Sequence, residues 1–389
     1  MAEMDAYLHN GDSSFRFRRD GQAIRFTSQV WQGAQWEHSI TLNGAFSGAT
    51  DVLLVVTGGD VNDLDEAEAS WLSELSGLPV ATLYNVPNQP LFDDLWEDDL
   101  IAFTFIRYLA TGDSEWPLLF PMVKSVIRAM DAVEGATGHA LRFVVTGLSK
   151  RGWTSWLAGA SGDSRIAGIA PMVIDHLNIR RQMEHQLATW GEYSEQIKSY
   201  TDLELPKELD SEEGQYLNGL VDPYSYRHRI NVPILIVTGS NDRYWQVDAT
   251  EQYWNELPDP KWDRVIPNVE HILGDKIEKN QVLAAFARRI SQGPLPKSHE
   301  WHWEFSPDHV RISISPEGGF AGSRLWEATS QDYEFRDKPW KVVAEGHSHL
   351  AATLSKVHRT ALFAEMAYRS NGLAYSVTTP VSVVAPPRR

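Results

Sequence analysis

The chain has 389 residues, of which 42% are hydrophobic and 22% charged. That is long enough for two or three cores, and the composition is ordinary for a globular protein, which excludes a disordered, collagen-like or coiled-coil chain. Lys and Arg number 35 against 52 Asp and Glu, a net charge of −17 that repels nucleic acid and anionic membrane surfaces, and the absence of cysteine excludes disulfides, Cys-bound zinc, iron–sulfur clusters and a thiol nucleophile.

The opening residues Met1–Asp5 have neither a basic nor an apolar leader region. A cytoplasmic location is therefore expected of the chain as it stands, or a periplasmic or secreted one if a leader has been removed. Apolar stretches such as Val52–Val56 are too short to cross a bilayer, so no membrane span is expected. The fifteen tryptophans suit large cores or an aromatic cleft.

Residues 1–50 read as antiparallel strands joining a sheet. Phe15–Arg18, Ile24–Thr27 and Trp36–Leu42 alternate in polarity, and Asn43-Gly44 makes a turn. The rhythm then changes to near-continuous apolar runs, Asp51–Thr57 and Leu78–Tyr84, with a helix over Leu64–Leu75 between them. Continuous strands separated by helices predict a parallel sheet buried on both faces.

Asp98–Leu109 and Trp116–Val133 have helical periodicity, with Pro117 suited to a first turn. Leu141–Thr146 is a strand, Trp153–Ala160 a helix and Ile166–Ile174 a strand. The polar segment 176–228 reads as an inserted lid before the strand Pro233–Thr238. A short strand, Asp263–Pro267, and a helix, Lys279–Ile290, follow.

Gly293-Pro294-Leu295-Pro296 ends this unit, taken as residues 51–293. Beyond it, Val310–Ser315, Lys341–Ala344, Ala361–Tyr368 and Tyr375–Val384 alternate, so residues 297–389 are expected to form a β-sandwich.

The chemistry centres on Val144-Val145-Thr146-Gly147-Leu148-Ser149-Lys150-Arg151-Gly152-Trp153, a strand leading through a serine between glycines into a helix. In an α/β-hydrolase the nucleophile sits on such a turn, which lifts its hydroxyl clear of the sheet. Here the second glycine stands three residues after the serine instead of the usual two.

A serine hydroxyl needs an imidazole to take its proton, and the imidazole needs an acid to hold it. In this fold the acid and the histidine follow the serine in that order, each just past a strand. Asp242 follows Ile234–Val237, 93 residues after Ser149, and His271 follows the next strand and turn after another 29. Asp175 and Asp248 are rival acids. The six histidines of the terminal β region read as surface residues, and His347-Ser348-His349 lacks the carboxylates that would accompany a metal. No metal or cofactor is expected.

An oxyanion hole takes one N–H from the residue after the nucleophile, here Lys150, and another from the loop after an earlier strand, where Gly58-Gly59 stand. Those glycines equally suit a plain turn. The side chains of Lys150 and Arg151 either add positive charge near the oxyanion or an anionic substrate group, or form an outward, solvated salt bridge.

The run Phe143–Trp156, with its Ser149-Lys150-Arg151-Gly152-Trp153 core, resembles the signature of the PhoPQ-activated pathogenicity-related protein family, a group of α/β-hydrolases. Thr27–Trp31, Val86–Leu91, Glu97–Ala102, Pro171–Asp175 and Val221–Tyr224 resemble its other blocks. The resemblance covers nearly the whole chain, and it implies Ser149, Asp242 and His271 as the triad. The elbow is also similar to that of glucuronoyl esterases, in which the basic residue after the serine assists the oxyanion, and this favours Lys150 over Arg151. Members of the family commonly begin with an export signal and have a small residue in place of Leu148; their substrates are poorly defined.

The expected activity is acyl-enzyme hydrolysis of a small-molecule ester, with a peptide as the alternative substrate and Glu212-Glu213 as a possible site for its ammonium. The competing class is a binding or signalling protein on an idle hydrolase scaffold. Trp190, Tyr193, Tyr244 and Trp245 are candidates either for a pocket or for the core.

Overall fold

The computed structural model describes residues 2–21, 23–274, 277–292 and 297–386. Its first element is a short helix, α1 (Ala2–Leu8), which buries Met4, Tyr7 and Leu8. Two turns carry too little periodicity for the sequence to announce it. The antiparallel lead-in follows as β1 (Arg16–Asp20), β2 (Ala23–Trp31) and β3 (Ala34–Asn43). In β3 the buried side chains Trp36, His38, Ile40 and Leu42 alternate with more exposed ones, as a strand with one packed face requires.

The parallel part is built from β4 (Asp51–Val56), α2 (Asp63–Ser76), β5 (Val80–Leu83), α3 (Glu97–Thr111), α4 (Leu119–Thr137), β6 (Arg142–Leu148), α5 (Lys150–Gly159) and β7 (Ile166–Met172). The lid segment forms α6 (Ile179–Trp190), the single turns α7 (Lys198–Thr201) and α8 (Leu205–Glu208), and α9 (Glu212–Val221). The chain then returns to the sheet as β8 (Ile234–Gly239) and β9 (Lys261–Ile266), followed by α10 (Ile277–Gln292). The punctuating run 293–296 lies outside the described residues.

Strand order runs β1-β2-β3-β5-β4-β6-β7-β8-β9, antiparallel as far as β5 and parallel from β5 to β9. After β4 the chain goes to β5 on one side and later to β6 on the other. That reversal opens a crevice at the carboxyl ends of the strands, where open α/β sheets hold their ligands. Because β6, β8 and β9 are parallel, the residues that follow them emerge on one rim.

The terminal β region comprises β10 (Glu300–Phe305), β11 (His309–Ser315), β12 (Phe320–Ser330), β13 (Lys341–Gly346), β14 (His349–Thr353), β15 (Arg359–Ser370), β16 (Leu373–Thr378) and β17 (Ser382–Val384). β10, β11 and β14 form one antiparallel layer, while β16-β15-β12-β13 extend the central sheet through the pairing of Thr378 with Asp263. Val310, Ile312 and Leu350 of the first layer share an apolar core with Leu325, Leu362 and Met366 of the second. The single strand expected over Tyr375–Val384 is two. Pro380 has no N–H for the ladder, and the chain breaks there before rejoining β15.

Candidate active site

Ser149 stands between the last residue of β6 and the first of α5, with φ 55° and ψ −121°. Left-handed φ is strained for a residue with a side chain, so the neighbours must hold it. Its N–H donates to the Met172 carbonyl at 2.9 Å, and its carbonyl accepts the Trp153 N–H at 2.9 Å. A Cβ at residue 147 would lie 2.6 Å from Arg151 Cβ, and one at 152 would lie 2.7 Å from Ile174 Cγ2 and 2.8 Å from the Met172 carbonyl oxygen. The late second glycine is thus explained. The close approach of α5 to the end of β7 falls on residue 152, while Arg151 lies over Gly147.

Asp242 follows β8 and His271 follows β9. His271 Nε2 is 2.9 Å from Ser149 Oγ, and its Nδ1 is 2.8 Å from Asp242 Oδ2. The other Asp242 oxygen accepts the Tyr244 N–H at 2.9 Å, and the Tyr244 ring stacks on the imidazole with centroids 4.1 Å apart. The rival acids are engaged elsewhere. Asp175 accepts from Thr250 at 2.8 Å and Tyr253 at 2.5 Å, and burial pushes its carboxyl up to about 7 despite those bonds. Asp248 meets His185 at 2.8 Å.

The two basic side chains turn inward to the acidic first turn of α3. Arg151 grips both oxygens of Glu97 at 2.6 Å each, and its Nε donates to the Val86 carbonyl at 2.6 Å. Lys150 Nζ lies 2.7 Å from Asp98 and 3.4 Å from Glu97, and Tyr200 of α7 donates to Asp98 at 2.9 Å. Burial pulls the Lys150 ammonium down, but Asp98 and Glu97 outweigh it and hold it above its usual value. Burial pushes Glu97 up, and Arg151 outweighs that, holding it down at about 2. With a side chain only 12% exposed and paired with Asp98, Lys150 is neither of the two alternatives the sequence left open, the outward, solvated pair or a free cation for an oxyanion. The complementary doublets Glu97-Asp98 and Lys150-Arg151 are the signal that could have found this pairing.

Gly58 lies against Arg151: a Cβ there would fall 1.4 Å from Nη2. Its missing side chain therefore makes room for the guanidinium and lets the β4 turn approach α5. The Gly59 carbonyl accepts the Asn85 N–H at 3.1 Å. Lys150 occupies the first position of α5, where a backbone N–H has no partner within the helix.

A cavity of about 110 Å³ opens beside Ser149 and His271 and runs beneath the lid, lined by Trp153, Met183, Ile197 and Leu217 among others. Tyr244 and Trp245 also line it. Trp190 and Tyr193 do not: the Arg336 guanidinium lies 4.1 Å from the Trp190 ring, and Tyr193 packs on the main core. Glu212 and Glu213 are exposed in the first turn of α9. His176 lines the cavity too, and nothing in the sequence singled it out.

Other motif residues have structural work. Asp222 accepts the N–H groups of Asn178, Ile179 and Tyr224, fixing the start of α6. Gln29 accepts from Tyr7 at 2.8 Å and donates to the Pro121 carbonyl at 2.8 Å. His349 meets Ser313 at 3.1 Å, and His347 packs on Phe320. Among the described residues no helix is long and apolar enough to cross a membrane, and no group of three or more His, Asp or Glu is placed to hold a metal.

The sequence model of the PhoPQ-activated pathogenicity-related protein family matches residues 8–337. Autocrine proliferation repressor protein A of Dictyostelium discoideum is 29% identical over 372 residues, covering 86% of this chain and 75% of that protein. Among solved structures, acetyl xylan esterase 1 from Thermoanaerobacterium sp. JW/SL YS485 aligns with a TM-score of 0.54 at 14% identity, covering 74% of this chain and 92% of that one. Pyrococcus horikoshii acylaminoacyl peptidase aligns with a TM-score of 0.50 at 12% identity, over 75% of this chain and 44% of that one. Identities this low speak for the fold, which is that of the α/β-hydrolases.

Proposed function

The chain belongs to the PhoPQ-activated pathogenicity-related protein family, and on its α/β-hydrolase scaffold we propose that it is a serine hydrolase of small carboxylic esters. The observation that carries the reading is the unbroken hydrogen-bonded line from Ser149 Oγ through His271 to Asp242, at 2.9 and 2.8 Å.

His271 Nε2 removes the hydroxyl proton as Ser149 Oγ attacks the ester carbonyl carbon. Asp242, on Nδ1, fixes the tautomer and stabilises the imidazolium. The oxyanion rests on the Lys150 N–H and on an N–H of the Gly58-Gly59 turn. As the intermediate collapses, the C–O bond to the alcohol breaks and the alkoxide takes the proton from His271, leaving an acyl-serine. Water then gives a proton to His271 and attacks the acyl carbon, releasing the acid and restoring the hydroxyl. No cofactor enters. Arg151 and Lys150, tied to Glu97 and Asp98, hold α5 and thus the elbow.

An ester is favoured over a peptide because alkoxides leave more easily than amines and because the cavity wall is apolar. Glu212 and Glu213, the suggested ammonium site, are not among its lining residues. Hydrolysis of p-nitrophenyl butanoate, compared with Xaa-Pro amides, tests the reading. Ser149→Ala should reduce ester turnover by about 10⁴-fold or more with folding intact. Unchanged turnover in that variant would refute it.

A second reading, a scaffold that binds without turnover, draws on the curated relative named as a proliferation repressor. Absence of any hydrolysis, with Ser149 inert to a fluorophosphonate, would favour it.

A further inference from the structure

Tyr244 lines the catalytic cavity, and the hydrolytic steps leave its hydroxyl unused. Its place is fixed. The ring stacks on the His271 imidazole with centroids 4.1 Å apart, its N–H donates to Asp242 at 2.9 Å, and its carbonyl accepts from Gln186 at 2.9 Å. The phenol oxygen has no hydrogen-bond partner among the described residues, yet it keeps accessible surface, unlike the sealed, unpaired polar atoms of the interior. The charges of Asp98 and Lys150 act on it, and it acts in turn on the Tyr200 hydroxyl, so it points along the wall toward those three. All three line the same cavity.

A firmly held hydroxyl with nothing to bond, at the wall of a largely apolar cavity, is the kind of polar group that orients a ligand. Burial, and after it the Asp98 carboxylate, hold the phenol above its usual value, so at neutral pH it is an O–H that donates one hydrogen bond and accepts others. A hydroxyl on the guest has the same two capacities. Charged guests fit poorly. A carboxylate would face Asp98 and Glu208 at the wall with the Lys150 ammonium already held by Asp98, and an ammonium would face Lys150. The cavity of about 110 Å³ is smaller than the roughly 150 Å³ space known to take benzene, which limits the arm inside it to about four or five heavy atoms.

We propose that Tyr244 determines specificity: its phenol donates a hydrogen bond to a hydroxyl group on the short, otherwise apolar substrate arm seated in this cavity. Calling that guest a substrate rests on the hydrolase reading of Ser149; its binding does not.

The test compares propyl butanoate with two esters in which one terminal methyl is replaced by a hydroxyl, 2-hydroxyethyl butanoate in the alcohol arm and propyl 3-hydroxypropanoate in the acyl arm. Turnover is followed with otherwise wild-type protein, and binding by titration of Ser149→Ala protein, in which turnover plays no part. Tyr244→Phe keeps the ring on His271 and removes only the oxygen. It should lower kcat/KM for one of the hydroxylated esters, relative to propyl butanoate, by about five- to tenfold, and weaken its relative binding in the Ser149→Ala background by a similar factor. A merely structural role would lower all three esters alike and leave both ratios unmoved, which overturns the proposal. Should Tyr244→Phe fail to fold, the Ser149→Ala protein decides alone. One hydroxylated ester should bind at least as tightly as propyl butanoate, because a buried hydroxyl without a partner is costly; binding of neither, or of both tenfold more weakly, overturns the proposal. Binding ratios that depend on Tyr244, together with no ester turnover by the wild-type protein, would refute the hydrolase reading and leave this one intact.

Discussion

Asn268 and Trp340 exchange two hydrogen bonds: the Trp340 N–H donates to Asn268 Oδ1 at 2.7 Å, and Asn268 Nδ2 donates to the Trp340 carbonyl at 3.0 Å. One residue lies three positions before His271, and the other sits just before β13 of the terminal β region. Asn241, adjacent to Asp242, reaches the same segment through Nδ2, donating to the carbonyls of Arg336 and Lys338 at 2.9 Å each. The turns bearing the acid and the histidine are thus fastened to one loop of the C-terminal strands, which gives that region a part in holding the site.

Asn268→Ala and Asn241→Ala should therefore lower kcat for ester hydrolysis by roughly 10- to 100-fold, because small misplacements of a positioned group are expensive in rate. KM should move far less, since neither residue lines the cavity. Steady-state kinetics on p-nitrophenyl butanoate, beside a thermal unfolding scan, separates this from a general loss of stability. An unchanged kcat would show that the terminal region is dispensable for alignment.

The elbow makes a second demand. Gly152→Ala places a methyl 2.8 Å from the Met172 carbonyl oxygen, which is backbone and yields little. A loss of about 1–3 kcal/mol in unfolding free energy is expected, as for overpacked cores. Gly58→Ala instead meets the Arg151 guanidinium and should displace it. Denaturant unfolding of both variants checks this; wild-type stability in Gly152→Ala would contradict the account of the shifted spacing.

Removing one partner of the Arg151–Glu97 pair strands the other. Breaking a fully buried pair costs about 3–5 kcal/mol, and the partial exposure of Glu97 brings the expectation to about 1–3 for Arg151→Met. The double variant Arg151→Met, Glu97→Gln should recover part of that loss. If the two single changes simply add, the pairing is not what holds α5.

Burial pushes the imidazoles of His38 and His299 down to about 4 and that of His176 down to about 3, from an ordinary 6.5. Below pH 6.5 the unfolded chain binds protons that these folded sites refuse, so stability should fall as pH drops from about 6.5 toward 4. His176→Phe should make that slope shallower by up to one proton. Urea unfolding at intervals across this range measures it, and an identical slope in the variant would contradict the neutral, buried state of His176.

Much of the site was legible because its parts lie next to strong local signals. Ser149 and Asp242 each follow a near-continuous apolar strand and His271 a short mixed one, and a parallel sheet brings such positions to one rim. What stayed hidden depends on contacts between distant segments. Asn268 means little until residue 340 is beside it, Glu97 until Arg151 is, and Gly58 looks like any turn until a guanidinium passes over it. His176 follows Asp175 with no local mark; only the aromatic rings closing round it show that it is buried. Strands such as Phe320–Ser330, whose small and polar residues blur the alternation, escaped for the same reason as α1: the local pattern is weak, and pairing or packing supplies the stability.

Labelling with a fluorophosphonate tests the central claim most directly. Wild-type protein should be modified once, at Ser149, and lose its esterase activity in step with labelling, while His271→Ala should react at least about a hundredfold more slowly. Labelling of a different serine, or equal rates with and without the imidazole, would contradict it.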